Sequence, residues 1–506
     1  MKKNILFTAL LLALAQSYAA VKLPLIFSNN MVFQAGEPAK IWGSAEPNAD
    51  VEIALDGKNF RAKADSDGKW SAFIPAQKAD SNPREIKIFE NAKLSKTLKN
   101  VLFGEVWISG GQSNMEFRLK NSIGGKEAVD GANFPSIRFF RQGSVPKRTV
   151  QPDSPGGATW YVCAPQNVRY VSAVSFYFAR DLHESLNVPV GIVETAFSGS
   201  YMIVWLARQD LKGIRAFEEP LAKFESDNKD YDYAAETEKY KREMEKYKES
   251  IAGLSNEEAK KVKKPAHPPI ARGTKIAALP SMFYNSKIAP IAGFTARGFI
   301  WYQGESDALA NPEAFAEKFE RLITCWRKYW NKDDMPFYFV QLPSIDRNAW
   351  VECRAAQDAV SKKLKNVKMA VALDTGEQKD VHPKEKLSVG KRLARLALIN
   401  VYGRKNLADF PSLAGVRFNG DSAEISIKCP NSKLEIREPL RGFEVLAGGS
   451  WQSPKAELRG GKVLLKSGGG NIEAVRYLWK NWALPEVCIF NSEGLPLAPF
   501  FKSKNQ

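Results

Sequence analysis

Between residues 101 and 400, short apolar runs recur at 106–109, 190–195, 298–302, 337–342 and 369–373, with helical patterns such as 176–186 and 314–329 between them. Runs this short do not make buried helices. Unbroken apolarity, as opposed to alternation, marks strands covered on both faces. The pattern predicts an α/β class built on a mostly parallel sheet layered with helices. Ligand sites in such sheets form just beyond the C-terminal ends of the strands, so the residues that follow each run are the ones to search for chemistry.

The flanks read differently. Over residues 21–100, Val51, Ile53 and Leu55 alternate with polar residues, Asp56-Gly57 and Asp67-Gly68 mark turns, and Ile86 and Ile88 form another alternating strand. This predicts an N-terminal β-sandwich. Residues 401–506 return to alternation at Ile425 and Ile427, Phe443 and Val445, and Val463 and Leu465, which predicts a C-terminal β-rich domain. The middle domain, 101–400, is interrupted at 208–275. There Tyr233, Tyr240 and Tyr247 recur every seven residues on a highly charged helix, and Ser255 with Glu258 forms a capping box for the next one. This excursion is expected to dock by its tyrosine edge, with a substrate-covering lid as the alternative.

Lys2 and Lys3 precede an apolar run over 5–15, and Ser17 and Ala19 supply the small residues of a cleavage site. Residues 1–20 therefore read as a signal peptide cut near Ala19 or Ala20, and the mature chain is expected in the periplasm or outside the cell. No later run approaches the roughly 18 apolar residues of a membrane-spanning helix. The formal charge of +17 favours anionic partners, but the basic residues are scattered, and export argues against nucleic acid. Five cysteines without a close pair make neither a disulfide scaffold nor a zinc module. No metal or other cofactor is expected.

The run at 106–109 ends in Gly110-Gly111-Gln112-Ser113-Asn114-Met115. Two glycines let the backbone bend and hold Ser113 at the strand's C-terminal edge, as a nucleophile requires; a structural Gly-Ser turn is the alternative. The chain has three histidines. His183 sits in a helical pattern and His267 in a proline-rich connector, which leaves His382, in Asp380-Val381-His382-Pro383, as the base. An acid near a histidine orients the ring and stabilises its charged form. Asp380, Asp374 and Glu377 all qualify. An oxyanion needs donors fixed in advance. The backbone N–H groups of Ser113 and Gly199 and the side-chain amide of Gln303 stand at the right strand ends. Glu305 could orient a neighbour, act as an acid, or accept backbone N–H groups.

Gly111-Gln112-Ser113-Asn114-Met115-Glu116, Trp301-Tyr302-Gln303-Gly304-Glu305-Ser306 and Asp380-Val381-His382-Pro383 together resemble the sialate O-acetylesterase family of SGNH hydrolases. Further matching stretches extend the resemblance over nearly the whole mature chain. They include Asn30-Met31-Val32-Phe33-Gln34, Phe283-Tyr284-Asn285, Arg354 with Gln357, and Glu493-Gly494-Leu495-Pro496. The resemblance implies a three-layer, flavodoxin-like SGNH esterase domain with β-rich attachments. It places the nucleophile on Ser113, the base on His382, and the oxyanion donors on Ser113, Gly199 and Gln303. Asn114 is an expected substrate contact, and Arg354 is a candidate for meeting a sugar carboxylate, with a salt bridge inside the fold as the competing role. The second block reads Ser198-Gly199-Ser200 in place of the family's usual Gly-Gly-Thr. Asp380 precedes the histidine by two residues where the superfamily's acid precedes it by three, so Asp374 and Glu377 remain rivals. The expected activity is removal of acetyl groups from carbohydrate hydroxyls through an acetyl-enzyme. The substrate is an acetylated glycan, with O-acetylated sialic acid first and acetylxylan or another polysaccharide as the alternative. A non-catalytic glycan-binding protein is the competing reading.

Overall fold

One strand organises the molecule. A computed structural model describes residues 20–505, so the expected signal peptide lies outside the described residues except for Ala20. The strand Lys93–Gly111 runs for 19 residues, and from Val101 onward every one is buried. Its first part pairs antiparallel with Asp80–Glu90. Its last part is the middle of a parallel sheet. Val190–Glu194 lies on one side, with Val106 beside Gly191. Gly298–Tyr302 lies on the other, with Trp107 beside Gly298. Beyond these run Phe134–Arg141, Phe337–Val340 and Val367–Ala370, all parallel, and Thr159–Cys163 closes one edge antiparallel. The expected boundary at residue 100 falls inside the organising strand. Chain order reverses at that strand, because the sheet is built first to one side of it and then to the other. Crevices for ligands open at such reversals.

Side chains alternate faces along each strand. Ile108, Phe299 and Trp301 share a buried cluster with Phe319, Leu322 and Trp326 of the helix Phe315–Tyr329. Trp107, Ile300, Tyr302 and Tyr338 share another with Phe178 and Leu182 of the helix Ala173–Leu186 and with Leu393 and Ala397 of the helix Leu387–Asn400. Helices thus cover both faces, and this mixed α/β packing is why the strands read as unbroken apolar runs. The rings of Trp301 and Trp326 meet edge-on at 5.2 Å, and those of Trp107 and Phe178 at 5.3 Å. Such pairs add about 1 kcal/mol each beyond the area they bury.

The last strand is shorter than its apolar run. It ends at Ala370 because the Arg392 guanidinium takes the Val371 carbonyl at 2.9 Å, and the chain then turns through Leu373–Thr375. Towards the N-terminus, Asp50–Leu55 pairs with Lys58–Lys63 and Asp80–Glu90, while Ala39–Ser44 pairs with Lys69–Ile74. Their inward residues, among them Ile41, Ile53, Ile74 and Ile88, join the first cluster. Residues from 412 onward form two four-stranded antiparallel sheets and a strand pair around a core of their own, which Val371 and Leu373 join.

In the excursion, Phe217, Leu221 and Phe224 of the helix Arg215–Asp227 are buried, whereas the helix Tyr233–Ile251 buries no residue. Its tyrosine edge meets the proline-rich connector instead, with the Tyr240 and His267 rings 4.9 Å apart. The capping box of Ser255 and Glu258 is present. All five cysteines are free thiols. Among the described residues no helix is long and apolar enough to cross a membrane, and no group of His, Cys, Asp and Glu is arranged to hold a metal ion.

Candidate active site

Gly111 ends the central strand at φ +137°, and a Cβ there would lie 2.1 Å from the Tyr302 carbonyl oxygen. Only glycine allows that approach, and it brings two strand ends together. The Gln112 N–H donates to Tyr302 O at 3.0 Å, and the Gln112 side-chain oxygen accepts the N–H groups of Gly304 and Ser306 at 3.4 and 3.3 Å. Ser113 then opens the short helix Ser113–Glu116, half-buried at the sheet's C-terminal edge.

His382 arrives from the loop after the last strand. Its Nε2 stands 2.8 Å from Ser113 Oγ. The side chain is 42% exposed. Burial lowers its pKa, the Asp380 carboxylate opposes that shift, and Lys386 and Arg347 reinforce it. Of the three rival acids, Asp380 is the one beside the imidazole. Its Oδ1 accepts the backbone N–H of His382 at 2.9 Å and lies 3.7 Å from Nδ1, too far for a hydrogen bond to the ring. Asp374 is held by Arg392 through two contacts of 2.6 Å, and Glu377 accepts the Lys384 N–H at 2.9 Å. His183 ties its helix to the following loop through a 2.7 Å contact of Nδ1 with Val188 O, and His267 is exposed in the connector.

The turn after Val190–Glu194 carries Gly199 at φ +71°. Among the described residues no protein group accepts the N–H of Gly199 or of Ser113. The turn is anchored on both sides. Ser198 donates its N–H and its hydroxyl to Glu116 Oε2 at 2.8 and 2.7 Å, so the Cβ at this position comes with a hydroxyl that fixes the turn. Ser306 Oγ donates to Gly199 O at 2.9 Å. Gln303 does not have the free donor expected of it. Its amide nitrogen gives both hydrogens away, to Ser200 O at 3.2 Å and to Asp307 Oδ2 at 2.6 Å. The physical reason is Asp307, which is buried one helical turn further on and paired with Lys318 at 2.7 Å. Gln303 supports the turn through the Ser200 carbonyl and keeps no amide hydrogen for an oxyanion.

Asn114 and Arg354 are not placed to touch substrate. Arg354 is buried and gives its guanidinium to the carbonyls of Lys480 and Asn481, and burial lowers its pKa to about 9. Asn114 is fully buried and hydrogen-bonded to Glu305, Val381 and Lys386. Burial raises the pKa of the Glu305 carboxyl, against its hydrogen bond from Asn114. Sequence reasoning missed Glu116 and Lys386. Glu116 carried one readable sign, its place one helical turn after Ser113. A cavity of about 230 Å³ adjoins the helix, lined by Glu116, Arg118, Arg141, Glu194 and Lys287. Burial lowers Lys287 to about 8 there.

A family model described as carbohydrate esterase, sialic acid-specific acetylesterase matches residues 269–399. The sialate O-acetylesterase of Rattus norvegicus is 26% identical over 93% of this chain and 92% of its own length. That of Homo sapiens is 24% identical over 75% of this chain and 71% of its own. Among solved structures, a carbohydrate acetylesterase from Xanthomonas citri superposes with a TM-score of 0.79 at 26% identity, covering 96% of this chain and all of that one.

Proposed function

We propose that this chain, similar over most of its length to sialate O-acetylesterases, hydrolyses carbohydrate O-acetyl esters with Ser113 as nucleophile and His382 as base. The reading is carried by one observation, the 2.8 Å contact between His382 Nε2 and Ser113 Oγ at the end of the central strand. Ser113 Oγ attacks the acetyl carbonyl while His382 takes its proton. The tetrahedral oxyanion forms against the N–H groups of Ser113 and Gly199, each such donor supplying about 3 kcal/mol of transition-state stabilisation. His382 returns the proton to the leaving sugar oxygen. A water molecule, deprotonated by the same ring, then attacks the acetyl-serine; the bond to Ser113 Oγ breaks, His382 gives the proton back to Oγ, and acetate leaves. Asp380 stabilises the imidazolium through space and holds its backbone.

The preferred substrate in this reading is O-acetylated sialic acid, with acetylxylan as the alternative. Support comes from the names carried by the relatives and from the surplus of positive charge, which suits an acidic sugar. The same reading takes residues 101–400 as a three-layer SGNH esterase domain, 21–100 as a β-sandwich, 401–506 as a β-rich domain, and 1–20 as an export signal.

The test is to trap the intermediate. An acid-quenched reaction, digested and analysed by mass spectrometry, is expected to carry acetyl on the peptide containing Ser113. Acetate production with no acetylated peptide, or with acetyl on another residue, contradicts the assignment.

A further inference from the structure

Ser113 and His382 come from segments 269 residues apart, so something must set their separation. The Asp380 contact fixes only the local shape of the His382 loop. The link between the two segments runs through their neighbours. Asn114, next to Ser113, donates from Nδ2 to the carbonyl of Val381, next to His382, at 2.8 Å. The same Nδ2 donates to Glu305 Oε1 at 2.5 Å, and Oδ1 accepts from Lys386 Nζ at 2.8 Å. All three side chains are buried, with Asn114 and Lys386 at 0% exposure and Glu305 at 3%.

This arrangement leaves the amide one orientation. Burial lowers the Lys386 pKa to about 7; while it is protonated, the amide oxygen faces an ammonium, which can only donate, and the nitrogen faces a carboxylate and a carbonyl, which accept. A flipped amide would set N–H against the ammonium and oxygen against two acceptors. Lys386 tolerates its burial because its ammonium also lies over the Phe117 and Tyr302 rings, at 4.9 and 5.4 Å from their centroids. Three loops thereby converge on one amide: the turn after the central strand, the turn after Gly298–Tyr302, and the loop before the helix Leu387–Asn400.

We infer that Asn114 is the positioning residue that sets the Ser113–His382 distance, and that Lys386 and Glu305 act by fixing its amide. The inference rests on the serine-esterase reading above. It removes Asn114 from the substrate contacts and gives Glu305 a partner other than His382.

The test measures the rate at which a fluorophosphonate labels Ser113, together with kcat, KM and the thermal midpoint, in the full-length mature enzyme. A misplacement of about 1 Å costs on the order of 10²-fold. Asn114→Ala is therefore expected to lower the labelling rate and kcat together by roughly that factor, with KM little changed. Lys386→Met is expected to lower both rates, and Lys386→Gln, which keeps a donor for Oδ1, to recover part of the loss. A folded Asn114→Ala enzyme that labels at the wild-type rate overturns the inference. If Asn114→Ala does not fold, the lysine pair decides, and Lys386→Met equal to Lys386→Gln overturns it. Failure of the wild-type enzyme to label at Ser113 brings down the serine reading itself, a result distinct from either of these.

Discussion

A serine hydroxyl is a weak nucleophile until a neutral base accepts its proton, so under the proposed mechanism the charge state of His382 decides when this site works. Burial lowers its pKa below the ordinary 6.5, and Asp380 pulls it back up. The ring must be neutral to act, so the acid limb of kcat/KM is expected below pH 6.5. In Asp380→Asn the upward pull is gone, and the limb should move further towards acid. The loss of rate should be small. An asparagine replacing a carboxylate hydrogen-bonded to Nδ1 costs about 10⁴. Asp380 is half-exposed and 3.7 Å from Nδ1, so a cost under about tenfold is expected. A limb that moves to higher pH in the variant contradicts this account. That Ser113 and His382 would meet at the strand ends was legible in sequence, because a glycine turn after a buried run and a scarcity of histidines leave few alternatives. The network beneath them was not. Lysine is almost never fully buried, and nothing near Lys386 in sequence announces the amide it faces. Gln303 misled for a similar reason, since the acceptor that takes its hydrogens is itself held by Lys318, which only the fold brings close.

Two strand ends must nearly touch for the Ser113 turn and the Gln303 turn to share one site. Gly111 makes that contact possible, and a methyl there would press on the Tyr302 carbonyl at 2.1 Å. Gly111→Ala is expected to force the strands apart, lower the thermal midpoint by at least about 2 °C and abolish most activity. An alanine variant with unchanged midpoint and turnover would falsify the claim that this approach builds the site. The strands themselves were readable as short apolar runs because both faces of the sheet are covered. Their ends were less so. The shortening of the last strand depends on Arg392 reaching the Val371 carbonyl from a helix some twenty residues later in the chain, a competition no local pattern encodes. Of the heptad tyrosines of the helix Tyr233–Ile251, Tyr233 and Tyr240 meet His267 of the proline-rich connector, since a stripe that narrow shows where contact is made but not with what.

Across the whole molecule, the shift in pattern near residue 100 marks a change of environment along one continuous strand. Up to Asn100 every residue of the strand but Leu98 is exposed or half-buried; from Val101 it is covered on both sides. Periodicity reports burial, and burial changes where a strand passes from one packing into another. The net charge of +17 also acts at this scale. Attraction of an acidic sugar is screened as salt rises, so kcat/KM on O-acetylated sialic acid should fall between about 0.01 and 0.15 M ionic strength while that on neutral acetylxylan holds steady. An equal response of both substrates contradicts a steering role for the charge. The central claim, acetyl transfer to Ser113, is tested most directly by acetate release from these two substrates by the purified protein and its Ser113→Ala variant. Release from acetylated sialic acid, reduced at least about 10³-fold in the variant with the fold intact, is the expected result. Release that continues in the variant at the wild-type rate contradicts it.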